Sequence, residues 1–487
     1  SDFCATCVEN GPLNCIIVAG LSLTAVVSLR RSCWFLLVML VVRSAVVIFL
    51  VLELWTCVSE TCFTKLKGRV VDIDADIDFV NQLNNFEILP RLNSIIERDY
   101  FHYFEVNLER GCPFFSEDLR CGLKDCHVSG CPVEEVPGGL LTESMLTTAM
   151  AHKKYSEDYN KRTNVHADEI DCQLAKVDNS LSEEQRVILD NWTIHDAMNE
   201  VNFFELDDDS SGKMIWVDLI KNPERYTGYK GAASNRIWHM IHAENCFDDG
   251  AFNYRTFAPS PETLSCLEKR AFYRLVSGLH TSITVHLCAR YPRNLFCTVH
   301  RNFGVDTVKP SDWGPNVQEF RRRFHPEFTR EGLERLHNLY FAYLVELRAL
   351  AKAAPYLRTL LFYTGNAAAD AETRQAVDDL LKIVEARGSL FNEGQLFADQ
   401  TTESVSLKQQ FRRHFHNISR IMDCVGCEKC RLWGKLQTQG MGTALKILFA
   451  SSDFVQPKFQ LSRREIVALF NAFNRLSVSI GTLPDFC

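Results

Sequence analysis

The run Cys424-Val-Gly-Cys427-Glu-Lys-Cys430 places three cysteines within seven residues, each three positions from the next. Just before it, Phe411, Phe415, Ile418 and Ile421 put apolar side chains at helical spacing. Positions three apart share a helix face, so neighbouring thiols there come within the short Cα separation a disulfide needs. A Cys-x-x-Cys unit reads as a redox dithiol or as half of a zinc site. Zinc asks for four ligands, usually from two separated pairs, and the other close pair, Cys4 and Cys7, lies beyond a hydrophobic stretch. A redox or structural disulfide therefore stands ahead of zinc. Buried inert thiols are the plain alternative.

Cysteine usage sets the compartment. Nineteen cysteines in 487 residues is a high and odd number, so at least one lacks an intrachain partner. With the sequons Asn191-Trp-Thr193 and Asn417-Ile-Ser419, this content suits an oxidising secretory environment. The length exceeds a usual single core and points to one large or two moderate domains. A net charge of −8 lacks the basic surplus of a nucleic-acid binder.

The N-terminus reads separately from the rest. Residues 33–55 form an apolar stretch long enough to span a bilayer. Arg43 near its centre costs roughly 2.5–3.5 kcal/mol on insertion scales, which the Val, Leu, Ile and Phe neighbours offset. Residues 1–64 are thus expected to be an atypical cysteine-containing segment with a candidate membrane span. The alternative is an artefact of coding-sequence assignment. Residues 65–487 are expected to be the folded body.

Within that body, apolar residues recur at helical spacing through 86–107, 237–241, 267–286, 333–351, 375–386 and 465–476. Residues 109–140 break the pattern with Gly111, Pro113, Gly122, Gly130, Pro132, Pro137, Gly138 and Gly139. That irregular loop carries Cys112, Cys121, Cys126 and Cys131. The predicted fold class is mainly α, with a Gly/Pro-rich, cysteine-bearing loop.

Two cysteine sets differ in setting. Cys427 and Cys430 lie among apolar helical residues, whereas Cys121 and Cys126 lie on a loop. Thiol–disulfide exchange needs attack along the sulfur–sulfur axis, so a mobile pair can feed a fixed one. Lys124 between the loop cysteines favours thiolate. Four structural staples are the competing reading. A relay needs an electron sink, and Gly440-Met-Gly442-Thr-Ala-Leu445 is no dinucleotide fingerprint: it lacks the third glycine and follows no strand. It reads as a helix start, and any cofactor must use a helical site.

The chain resembles the endoplasmic reticulum oxidoreductin family, FAD-dependent thiol oxidases of protein disulfide isomerase. The resemblance rests on Cys112-Pro-Phe-Phe with Cys121 and Cys126, on Asn222-Pro-Glu-Arg-Tyr-Thr-Gly-Tyr-Lys-Gly231 and on Glu268 through His280. It rests further on Asn338 through Leu350 and, most specifically, on Ile418 through Gly440. It implies a single large helical FAD-binding domain in the endoplasmic reticulum lumen.

Residue roles follow from the resemblance alone. It implies that Cys427–Cys430 is the inner catalytic disulfide and Cys121–Cys126 the shuttle pair that meets the isomerase. Cys112–Cys424 and Cys246–Cys266 would be structural bridges. FAD contacts would come from Arg225, Thr227, Tyr229, Trp238, Ser277, His280, Arg323 and Arg335. Cys131 and Cys172 would be regulatory partners of the shuttle pair. The implied reaction is a relay from isomerase through both pairs to FAD and oxygen, yielding hydrogen peroxide. In the family the N-terminal hairpin is uninterrupted; here residues 16–56 separate Cys4, Cys7 and Cys15 from Cys57 and Cys62. A zinc-binding module and a disulfide-stapled, non-catalytic secretory protein are the alternative functions.

Overall fold

The computed structural model describes residues 78–112, 114, 126–141, 214–226, 232–245, 265–289, 314–387, 393, 396, 402–450 and 461–486. The chain divides into units Ser1–Arg69 and Val70–Cys487, and every described residue belongs to the second. The 33–55 segment, the Asn191 sequon, Cys121, Cys172, Thr227, Tyr229 and Cys246 lie outside the described residues. Among the described residues no helix is long and apolar enough to cross a membrane.

The body is mainly helical, as the apolar spacing predicts. Helix α1 spans Asp78–Ile96 and a single turn, α2, spans Asp99–His102. Two short strands, β1 (Tyr103–Val106) and β2 (Ile215–Asp218), form the one sheet among the described residues. Then follow α3 (Ala232–Ala243), α4 (Leu267–Ala289), α5 (Val317–Phe324), α6 (Gly332–Leu357), α7 (Ala367–Arg387), α8 (Thr402–Ile421), α9 (Glu428–Phe449) and α10 (Arg463–Thr482).

Helix α6 is the hub. Asn338 through Leu347 are all buried, so this stretch has no solvent face and must be surrounded. It packs against α4, α7, α9 and α10. Its close seating on α4 depends on Gly278, where a Cβ would collide with the Asn338 carbonyl and the Ala342 methyl. Around this axis, Phe272 meets Phe411 and Phe415 edge-on at 5.0 and 5.1 Å between centroids. These rings are essentially fully buried, each contributing about 1.5–3 kcal/mol by leaving water.

Two local expectations change. Residues 103–106 are strand rather than the continuation of a helix. His102 bonds both Asp99 (3.2 Å) and Asp218 (3.1 Å), stopping the turn, and Tyr103 to Val106 then pair antiparallel with Asp218 to Ile215. Tertiary pairing outweighs local apolar spacing here. Gly440 and Gly442 lie inside α9 rather than at a helix start. Gly440 lets α9 approach Ala468 and Ala472 of α10, leaving no room for a Cβ. Helix α10 itself starts at a capping box, Ser462 with Glu465. Glu465 also holds Lys446 of α9 in a buried 2.6 Å ion pair.

Candidate active site

The cysteine run falls where α8 gives way to α9. Met422–Cys424 make one 3-10 turn, and Cys427 caps α9 with extended backbone, φ −86° and ψ 115°. The break at Val425-Gly426 means that the three cysteines do not share one helix face. Cys424 is bonded to Cys112, Cα atoms 4.4 Å apart, as the resemblance implies. Cys427 is bonded to Cys126, Cα atoms 5.0 Å apart across 301 residues of sequence. Cys430 is a buried thiol whose S–H donates to the Arg225 carbonyl at 3.0 Å.

This pairing differs from the expected Cys121–Cys126 and Cys427–Cys430 bridges: one member of each pair is joined to the other. The cause is docking of residues 126–131 on the head of α9. The Lys429 amide, which has no acceptor within its own helix, donates to the Cys126 carbonyl at 2.9 Å. Glu428 Oε2 accepts from Val128 N at 2.8 Å and lies 2.7 Å from His127 Nδ1. Asn222 grips Ser129 through both amide atoms, accepting at 2.9 Å and donating at 3.0 Å. Its own carbonyl accepts from Trp433 Nε1 at 2.7 Å. Gly130 then bridges to Val217, and Cys131 N donates to Trp216 O at 2.7 Å.

A buried charge cluster supports the turn. Asp423 lies 2.7 Å from Arg420, 2.6 Å from Lys435 and 3.8 Å from Arg110. Burial pushes its carboxyl up while Lys435 and Arg420 pull it down, leaving a net rise. Arg431 donates to Val425 O (3.0 Å) and Leu108 O (2.7 Å), stitching the turn to the chain after β1. With Cys424 and Cys427 both consumed in disulfides, the zinc alternative loses the thiolates it needs.

Of the residues assigned to a cofactor, Trp238 and His280 are in contact, and Arg323 and Arg335 lie within electrostatic reach of His280. Trp238 of α3 stacks on His280 of α4 at 3.8 Å with planes 9° apart. His242 Nε2 lies 3.0 Å from His280 Nδ1. Burial, with the charges of His239 and Arg335 adding to it, lowers His242 to about 3. His280 is held well below the usual range by burial, then by His242, Arg335 and Arg323. Both imidazoles are therefore neutral, within electrostatic reach of guanidinium groups on α5 and α6. Ser277, one turn before His280, accepts from Asn338 Nδ2 at 3.1 Å. Arg323 pairs with Glu319 (2.5 Å) and Arg335 with Glu331 (2.9 Å). Arg225 enters through its carbonyl at Cys430.

The remaining cysteine assignments fall as follows. Cys266 is a half-buried thiol rather than a disulfide partner; it donates to Glu268 Oε2 at 3.3 Å, and burial raises its pKa. Cys131 is also a half-buried thiol, pushed up by burial and then by Asp218. Sequence reasoning gave no role to Glu428, although it sits inside the Cys-x-x-Cys unit. Nor did it find Asp423, Arg431, His242 or the clamp by Asn222. Each has at least one partner on another element, such as Val128 for Glu428, Lys435 for Asp423, Leu108 for Arg431, His280 for His242 and Ser129 for Asn222, and spacing within one segment does not encode those contacts.

A helical body that joins a loop cysteine to a helix-capping cysteine, beside a buried thiol and an aromatic, guanidinium-lined group, defines a thiol–disulfide oxidoreductase. The chain belongs to the ERO1 family: the profile described as Endoplasmic Reticulum Oxidoreductin 1 (ERO1) matches residues 87–483. The Ero1-like protein of Drosophila melanogaster is 42% identical over 494 residues, covering 94% of this chain and 98% of that one. ERO1-like protein alpha of Mus musculus is 44% identical over 449 residues, covering 88% and 92%. A solved structure of S. cerevisiae Ero1p superposes with a TM-score of 0.53 at 28% identity, covering 84% of this chain and 96% of that chain. The chain is thus a mainly helical, disulfide-forming oxidoreductase of the endoplasmic reticulum.

Proposed function

We propose that the chain is an FAD-dependent thiol oxidase that makes disulfides de novo and exports them to protein disulfide isomerase, with oxygen as final acceptor. The observation that carries this reading is the Cys126–Cys427 disulfide beside the Cys430 thiol. That is the species formed midway through exchange between a loop pair and an inner pair.

The steps on this chain balance as two-electron exchanges. A thiolate of reduced isomerase attacks Cys121 of Cys121–Cys126, and a second isomerase thiol resolves the mixed disulfide, leaving both loop cysteines reduced. Cys126 thiolate then attacks Cys427 of Cys427–Cys430; the Cys126–Cys427 bond forms and Cys430 leaves as thiolate. Cys121 thiolate attacks Cys126 next, restoring the shuttle disulfide and releasing Cys427. Cys427 caps α9, where the positive end of the helix stabilises a departing thiolate.

The residues present fit a flavin dinucleotide. Trp238 and His280 offer flat faces for its rings, Arg323 and Arg335 forked donors for its pyrophosphate, and Ser277 a hydroxyl. Thr227 and Tyr229 join this set on the resemblance alone. Bound there, FAD would supply the two-electron acceptor for the inner dithiol and the route by which oxygen is reduced to hydrogen peroxide. With His242 and His280 held neutral by burial, Arg323 and Arg335 supply positive charge to this group.

The visible absorption spectrum of the purified chain is the first test, followed by oxygen uptake with reduced isomerase. Flavin bands and uptake that Cys427→Ala abolishes support the reading. A chain that stays colourless after incubation with FAD, or uptake indifferent to that substitution, overturns it. Regulation through Cys131 and Cys172 is part of the same proposal. It fails if Cys172→Ala leaves both the oxidation rate and its lag unchanged.

A further inference from the structure

We infer that Glu428 is a positioning residue: it latches the loop backbone at Val128 onto the first turn of α9 and thereby presents Cys126 to Cys427. The inference rests on the exchange route proposed above and adds to it a side chain outside both cysteine pairs.

Four observations meet at this carboxylate. Glu428 immediately follows Cys427, so its position is fixed by the same helix turn that orients the sulfur. Its Oε2 accepts the Val128 amide at 2.8 Å, two residues beyond Cys126. The same oxygen lies 2.7 Å from His127 Nδ1, the residue between them. On the other side of the segment, Lys429 N donates to the Cys126 carbonyl at 2.9 Å. A carbonyl accepting from the helix and an amide donating to its side chain fix Cys126 from both directions, as in one rung of a ladder. The Cys126 backbone is thereby held against the first turn of α9, with its Sγ bonded to Cys427.

The contact matters because exchange is sensitive to geometry. The attacking sulfur must lie on the axis of the bond it breaks, and a loop free to wander spends most of its time off that axis. A carboxylate accepting a backbone amide is a charge-assisted bond, stronger than a neutral one. Asn222 holds the next residue, Ser129, from β2's side, so the latch closes the last gap between an already anchored segment and the sulfur. An inert exposed carboxylate in a first helical turn would have no reason to face an amide 300 residues away in sequence.

The test isolates the two sulfurs. In a Cys121→Ala/Cys430→Ala chain, Cys126 and Cys427 lose their other partners within the two pairs. Their bridge is then equilibrated anaerobically with reduced and oxidised glutathione: two thiols plus one glutathione disulfide give the bridge plus two glutathiones. Acid quench, alkylation and peptide mapping read the bridged fraction, and hence an effective concentration of one sulfur at the other, with no need for flavin or oxygen.

Adding Glu428→Ala should lower that effective concentration about tenfold. Glu428→Gln keeps an acceptor oxygen for Val128 N while losing the charge, and should remain within about threefold of the parent. Both variants forfeit the favourable helix-end charge, so rescue by Gln separates the latch from a general effect on α9 stability. An Ala variant that matches the parent overturns the inference, as does a Gln variant that falls as far as Ala. A parent chain with no measurable bridge would overturn the exchange route itself, and the latch with it.

Discussion

Cys126 and Cys427 are joined by a disulfide, and Cys430 stands as a thiol in the first turn of the helix that Cys427 caps. The bridge links a loop sulfur to a helix-end sulfur, so electrons have a covalent path between the two. Replacing Cys430 by Ser removes the inner thiol without touching that bridge. Oxidation of isomerase should then fall on the order of a hundredfold or more, while peptide mapping without reductant still recovers the Cys126–Cys427 peptide. Activity above a tenth of the unmodified chain's would mean that the inner pair is not an obligatory stop.

The Cys112–Cys424 bridge closes a loop with a sequence separation of 312 residues. In the chain-entropy account such a cross-link is worth about 5–6 kcal/mol, and removing native bridges commonly costs about 2–5. Cys112→Ser/Cys424→Ser should lower unfolding stability within that range, read from the urea midpoint and slope. A change below about 1 kcal/mol would show that Asp423, Arg420, Lys435 and Arg431 hold the turn without it.

Much of this arrangement was legible in the residues. Phe411, Phe415, Ile418 and Ile421 announce α8 by spacing, and Gly111, Gly130 and Pro132 announce the irregular backbone at 107–112 and 126–132. The Cys112–Cys424 bridge came from the family resemblance and not from periodicity. What stayed hidden is non-local. The β1–β2 pairing looks helical until Asp218 captures His102. Gly440 looks like a helix start until Ala468 and Ala472 of another helix are seen against it. Which sulfur bonds which is decided by Lys429, Glu428 and Asn222 gripping a distant backbone, a choice that spacing between cysteines does not contain.

One sequon is excluded by packing. Asn417 is buried within α8, and its Nδ2 donates to Glu244 Oε2 at 3.1 Å, the same oxygen that lies 2.6 Å from His414 Nδ1. A glycan there would force α8 away from α3. Mass spectrometry of protein secreted from eukaryotic cells should therefore find the Asn417 peptide unmodified. Asn417→Ala should cost about 1–3 kcal/mol of stability, because Glu244 loses a buried donor. A glycosylated Asn417 in folded, active protein would contradict this packing.

Glu346 gives the chain a pH dependence of opposite sign to that of a salt-bridged carboxylate. It is fully buried in α6, and neither carboxylate oxygen has a hydrogen-bond partner among the described residues. Burial holds its pKa well above the usual value. The folded chain therefore keeps this carboxyl protonated while the unfolded chain releases the proton above about pH 4.5. Stability tied to this group is fully present at acid pH and declines by about 1.4 kcal/mol per pH unit as pH rises. The decline stops at the folded-state pKa. Glu346→Gln removes the ionisation while keeping the shape. The variant and the unmodified chain should differ little near pH 4, and the variant should become progressively the more stable as pH rises toward 7. Parallel urea titrations at both values check this. A stability difference independent of pH would mean that the fold does not hold this carboxyl protonated.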